Sequence, residues 1–95
     1  MKCIYKVEIV DLSNSKFFCA NFKSGIPFIP HKGLIVEFHE MHFMVKKVAW
    51  SDAYQELDIW LSDIDVDEDE TIESLRDFYI NEDFTCTDIR TIMRS

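Results

Sequence analysis

Glycine and proline are scarce in this chain. Gly25, Pro27, Pro30 and Gly33 are its full complement of both in 95 residues, and all four fall between Lys23 and Gly33. Two glycines are too few for the backbone loops that wrap phosphates, and no glycine-rich motif is present. Cysteine is equally sparse. Cys3, Cys19 and Cys86 are odd in number, widely spaced and free of any CxxC pair, which argues against a disulfide framework or a zinc knuckle and for buried free thiols. No apolar run approaches the ~20 residues of a membrane span. Met1 to Asp11 alternates charged and apolar residues where a signal peptide would carry an apolar run, so the expectation is a cytoplasmic protein with no membrane partner. Nucleophile elbows and paired-acid motifs are missing as well, and the chain is read as a non-enzyme that uses no cofactor.

What is present is apolar bulk. Hydrophobic residues make up 47% of the chain and aromatics 14%, enough for one folded domain spanning 1–95 with an aromatic-rich core. The formal charge is −8, and it is unevenly placed. Residues 62–83 hold ten acids against Arg76 alone, a segment charge of −9, which leaves +1 for the remainder.

Residues 2–11, KCIYKVEIVD, alternate with period two, with Cys3, Tyr5, Val7 and Ile9 on one face, as in a half-buried strand. Ser13-Asn14-Ser15 is turn chemistry. KFFCANF over 16–22 predicts a second strand, with Phe17 and Cys19 facing away from Phe18 and Ala20. The prolines of 26–30 predict an extended connector or edge segment. Residues 34–50 predict a hairpin turning at Glu40-Met41, which pairs His39 with His42, Phe38 with Phe43 and Val36 with Val45. A bulge at Lys46-Lys47 would then turn Val48 and Trp50 inward. LDIWL over 57–61 predicts a further strand, and the parity switch to Ile64 and Val66 implies a break near Ser62-Asp63. Ile72, Leu75 and Phe78-Tyr79 recur at helical spacing, so a helix is expected near 70–80, capped by Asp69 or Thr71. Over 85–94 Asp88 can cap a second short helix carrying Ile89, Ile92 and Met93, while TCTDIRTIM also suits a strand; helix is the expectation taken forward.

The fold class is therefore α+β, mainly β: a small antiparallel barrel or curled sheet of about five strands over 1–66, SH3-like in architecture, with an acidic helical tail over 67–95 packed on it. An open edge near the prolines, or the Phe17/Cys19 face, would allow a homodimer.

Four kinds of chemistry are worth weighing. His39-Glu40-Met41-His42 has its histidines three apart, where the helical HExxH motif needs four. On the expected hairpin His39 and His42 form a cross-strand pair that could share a metal with Glu37 or His31. Asp63-Ile64-Asp65-Val66-Asp67 imitates the start of an EF-hand, but the glycine and glutamate positions are filled by Glu68 and Ser74, and the register beginning at Asp65 fails as well. Lys2, Lys6, Lys46 and Lys47 with Tyr5 make a modest basic patch, yet a −8 chain repels phosphate, so direct nucleic-acid binding is disfavoured. The acids remain. Asp63, Asp65, Asp67, Glu68, Asp69, Glu70, Glu73 and Asp77 run from a strand end into a helix, with Phe78, Tyr79 and Phe84 close by. Carboxylates in such a row imitate the phosphates of a nucleic acid and suit a protein partner with a basic, nucleic-acid-binding surface; a merely solubilising face is the plain counter-reading.

In size and charge alone, the chain resembles DNA-mimicking anti-restriction and anti-CRISPR proteins of phages and mobile elements. That resemblance implies an inhibitor acting through its acidic surface. The alternative is a small ligand- or metal-binding barrel centred on His39, His42 and Glu37.

Overall fold

A computed structural model describes residues 2–25, 30–38 and 40–92, together with the side chains of all of these except Gly25 and Phe38. Strand takes up 54% of it and helix a single short segment. The elements are β1 (Lys2–Asp11), β2 (Lys16–Gly25), β3 (Ile35–Phe38), β4 (Met41–Ser51), β5 (Glu56–Leu61), β6 (Ile64–Asp65), α1 (Ile72–Asn81), β7 (Thr85–Cys86) and β8 (Arg90–Thr91).

β1 organises the sheet because its alternation lets it be covered on one face and paired on both edges. Cys3, Tyr5, Val7, Ile9 and Asp11 are buried, while the residues between them are exposed or half-buried. β1 and β2 pair antiparallel along their whole length, from Lys2 opposite Gly25 to Asp11 opposite Lys16. The turn between them is tied by Asp11, whose carboxylate accepts from the Asn14 backbone N–H at 3.2 Å and from the Asn14 amide at 2.8 Å. On its other edge β1 pairs parallel with β5 and then, beyond Ser62-Asp63, with β6. The register slips by one residue across that break, which keeps Ile64 on the core side.

The sheet is therefore open and mixed, in the order β3-β4-β5-β1-β2-β7, with β6 added beside β1 and β8 beside β2. A five-stranded antiparallel barrel is not what forms. The β1–β5 neighbours run parallel, and among the described residues no pairing joins β3 to β7 or β8.

The hairpin differs from expectation in register but keeps its faces. Val36 lies opposite Phe43, Glu37 opposite His42 and Phe38 opposite Met41, and Glu40, just before β4, has φ 68°. The slip relative to the expected pairing is two residues, and a period-two strand conserves its inward set under such a shift. The β4 bulge falls where Lys46-Lys47 implied it, with Val45 opposite Leu61 and Lys47 opposite Trp60. Val48 turns toward the core, whereas Trp50 stays 54% exposed.

Residues 85–91 form strand pairings where the pattern predicts a helix. Ala20 lies opposite Cys86 and Phe17 opposite Arg90. Between the two bridges Thr87 takes both backbone groups of Cys19: its N–H donates to the Cys19 carbonyl at 2.9 Å, and its hydroxyl accepts from the Cys19 N–H at 2.9 Å. A helix here would have left the outer edge of β2 unpaired. The same pairing covers the edge beside Phe17 and Cys19. Ile26 to Ile29, Met93 and Arg94 lie outside the described residues, and with them most of the proline connector.

α1 packs on β1, β2 and β7 through Ile72 and Tyr79. Tyr79 meets Phe18 edge-on at 6.3 Å and Phe84 at 5.1 Å, and Phe84 leans on Phe22 at 5.5 Å. Of the two expected caps, Thr71 is the one used. Its hydroxyl accepts from the Ser74 N–H at 3.1 Å. Thr71→Ala should cost about 1 kcal/mol, read as a lower urea midpoint at unchanged slope; no change would show that the cap is idle.

Candidate functional site

Two surfaces have the chemistry to recognise something. The first is the acidic segment. All eight acids singled out in the sequence, Asp63, Asp65, Asp67, Glu68, Asp69, Glu70, Glu73 and Asp77, are exposed. The local cause is clear. β6 is only two residues long, the stretch 66–71 that follows is irregular, and the apolar side of α1 uses Ile72, Leu75 and Tyr79, so the carboxylates face solvent. Two of them carry lysine partners: Asp63 with Lys46 at 3.3 Å and Glu73 with Lys16 at 3.7 Å. The other six have no cationic partner among the described residues. Asp67, Asp69 and Glu70 bring carboxylate oxygens within 4.8 Å of one another.

The aromatics near these acids divide. Tyr79 and Phe84 belong to the core at 3% and 4% exposure, whereas Phe78 is 44% and Ile80 43% exposed. Phe78 and Ile80 are the apolar groups that the acidic helix offers to solvent.

The second surface is the face of the sheet opposite the core. Lys6 on β1 and Lys47 on β4 flank Trp60 on β5, because Trp60 lies opposite Lys6 on one side and opposite Lys47 on the other. Their ammonium groups sit 5.0 Å and 5.6 Å from the Trp60 ring centre. The β4 bulge adds Lys46 to the same face, and the turn before β3 adds Lys32. Gly33 shapes that turn with φ 91°, and its N–H donates to the Val45 carbonyl at 2.8 Å. The result is an open concavity of about 650 Å3 lined by Glu8, Lys32, Lys46, Lys47, Val48 and Trp60. Beside it, and sharing Glu8, lies an apolar hollow of about 260 Å3 formed with Val10, Phe17 and Ile92.

The basic patch drawn from the sequence is thus half realised. Lys6, Lys46 and Lys47 converge, but Lys2 lies at the start of β1 and pairs with Glu56 at 3.3 Å. The aromatic at the centre is Trp60, not Tyr5, which is buried on the core face. Period two already separates Tyr5 from Lys6 and aligns Trp60 against Ile59 and Leu61; what the sequence lacked was the parallel β1–β5 pairing.

Of the alternative metal set, His42 and Glu37 lie among the described residues. His42 faces Glu37, with Nε2 3.0 Å from Oε2, and both side chains are exposed. His39 lies outside the described residues, and the residue opposite His42 is Glu37 where the expected register has His39. His31 sits apart, its Nδ1 3.1 Å from the Lys32 carbonyl.

The three thiols are poor nucleophiles as placed. Burial pushes Cys3, Cys19 and Cys86 above the usual thiol range, the opposite of what an activated cysteine needs. No helix among the described residues is long and apolar enough to cross a membrane. In comparisons with known proteins, no family model, curated protein or solved structure matches the chain.

Proposed function

We propose that this protein is a cytoplasmic, non-enzymatic interaction module whose acidic surface docks on the basic surface of a protein partner. The partner's chemistry is that of a nucleic-acid-binding protein: a groove of Lys and Arg that would otherwise hold phosphates. The protein then acts as an inhibitor by occupying that groove, in the manner of DNA-mimicking phage and mobile-element proteins. The observation that carries this reading is the run of exposed carboxylates from Asp65 to Asp77, six of them without a cationic partner among the described residues, beside the exposed Phe78 and Ile80. Charge gives such a docking its speed and its salt sensitivity, and an apolar side chain at the centre of the contact supplies holding energy.

The test compares wild-type protein with the Asp67→Asn/Asp69→Asn/Glu70→Gln/Glu73→Gln variant as bait in a host extract, with mass-spectrometric identification and competition by duplex DNA. Wild type should retain a DNA- or RNA-binding protein that elutes at moderate salt and is displaced by DNA. The variant should bind that protein about tenfold to a hundredfold more weakly. Equal retention by both baits would remove the acidic surface from the mechanism.

A further inference from the structure

We infer that the Lys32/Lys46/Lys47/Trp60 concavity is a binding site for a nucleotide unit, with phosphate on the lysines and the base against the Trp60 ring. The inference is independent of the acidic surface, and either can fail alone. It starts from how positive charge is distributed. The chain has seven lysines. Three of them, Lys32, Lys46 and Lys47, line the concavity with Trp60, and Lys6 reaches the same ring from the β1 side. Lys6 is balanced by Asp58 at 3.5 Å and Lys46 by Asp63 at 3.3 Å. Lys32 and Lys47 have no carboxylate partner among the described residues. The site therefore carries local positive charge inside a chain of net −8. Charges beyond about 10 Å are largely screened at 0.1 M salt, so the local lysines decide what anion is attracted.

The ligand must be more than an anion. About 650 Å3 lies within the roughly 300–1,000 Å3 of ligand sites, and a bare oxyanion would leave most of it unfilled. The Trp60 ring supplies an apolar face for a planar ring. Glu8 places a hydrogen-bond acceptor in the same concavity; it would repel a simple phosphate but suits a ring bearing N–H donors, as nucleobases do. The cation–π contacts keep the two ammonium groups at the ring. A phosphate would draw Lys47 outward on its flexible stem, and a base would take its place on the ring. The nucleotide unit can be free or part of a single strand, and the sharing of Glu8 with the hollow at Phe17 gives a strand somewhere to continue.

Trp60 supplies its own readout. Trp50→Phe leaves it the only tryptophan. In that background, dTMP, oligothymidylate of about 12 nucleotides and inorganic phosphate are titrated against tryptophan fluorescence. At least one of the first two should quench saturably, and Lys46→Ala/Lys47→Ala should weaken it about tenfold or more with an unchanged circular dichroism spectrum. Lys32→Ala, on a turn outside the strands, repeats the test if the double variant folds poorly. Oligothymidylate binding far tighter than dTMP, and falling about 20-fold between 50 and 200 mM salt for three engaged phosphates, identifies a single strand. Equal affinity identifies a free nucleotide. The inference is overturned by no quenching from either at millimolar concentration and low salt, by phosphate competing as well as dTMP, or by binding indifferent to the lysines.

Discussion

Phe18→Ala is expected to cost about 3–5 kcal/mol, the usual penalty for truncating a fully buried phenylalanine. Phe18 has no exposed surface, and it is where the sheet meets the rest of the chain. It projects from β2 against Tyr79 of α1, and Tyr79 in turn contacts Phe84. Removing the ring leaves a cavity that the sheet cannot close, since β2 is fixed by ten residue pairings to β1. At about 0.05–0.15 kcal/mol per residue a chain of this length has a total stability of roughly 5–14 kcal/mol. The substitution would therefore remove about a fifth of that or more. Urea unfolding should show a much lower midpoint, and near-ultraviolet circular dichroism should lose the aromatic signal first. Phe18→Leu, which fills most of the volume, should cost less than about 1.5 kcal/mol. A loss below 1 kcal/mol for Phe18→Ala would mean that α1 does not rest on β2 as described.

Position 18 also shows why parts of this fold are legible in the sequence. A strand with one buried face writes its burial at every second residue, so β1 and the inward side of β2 follow from alternation alone. The same rule explains the hairpin. Val36, Phe43 and Val45 share a face in the expected register and in the observed one, because the two differ by two residues. The bulge at Lys46-Lys47 was legible for a related reason: without it, two lysines in a row would force one into the core.

Alternation says nothing about strand direction or neighbour order. LDIWL reads identically whether it runs with β1 or against it, so the parallel pairing that sets Trp60 between Lys6 and Lys47 left no trace in the pattern. β7 and β8 are two-residue bridges, formed because the outer edge of β2 needs partners. Their sequence, with Asp88 as a plausible cap and Ile89 and Ile92 at helical spacing, obeys that tertiary demand over its own local preference. The acidic segment was fully legible because exposure is what a dense row of carboxylates dictates. The lysine–tryptophan face was only partly so, because its members come from four strands and turns far apart in the chain.

A second large effect should appear at alkaline pH. Burial pushes the Tyr79 phenol up from 10 to about 12, and it raises Tyr5, Cys3, Cys19 and Cys86 above their ordinary values as well. A group of this kind holds its proton more tightly in the folded chain than in the unfolded one. Below the unfolded value both states are protonated and full stability is present. Above it the unfolded chain ionises first, and stability falls until the folded value is passed. The thiols begin this loss near pH 9. Tyr79 adds about 1.4 kcal/mol by pH 11 and roughly 3 kcal/mol once pH exceeds 12, at about 1.4 kcal/mol per pKa unit. A chain of net −8 also gains self-repulsion as its lysines lose their protons, so a fall in stability would not by itself identify the phenol. Tyr79→Phe separates the two. It keeps the ring against Phe18 and Phe84 and leaves the lysines untouched, so its urea-derived stability should fall between pH 8 and pH 11 by about 1.4 kcal/mol less than wild type. An identical fall in both proteins would show that the Tyr79 hydroxyl reaches water, and the packing of α1 on the sheet would then need revision at that residue.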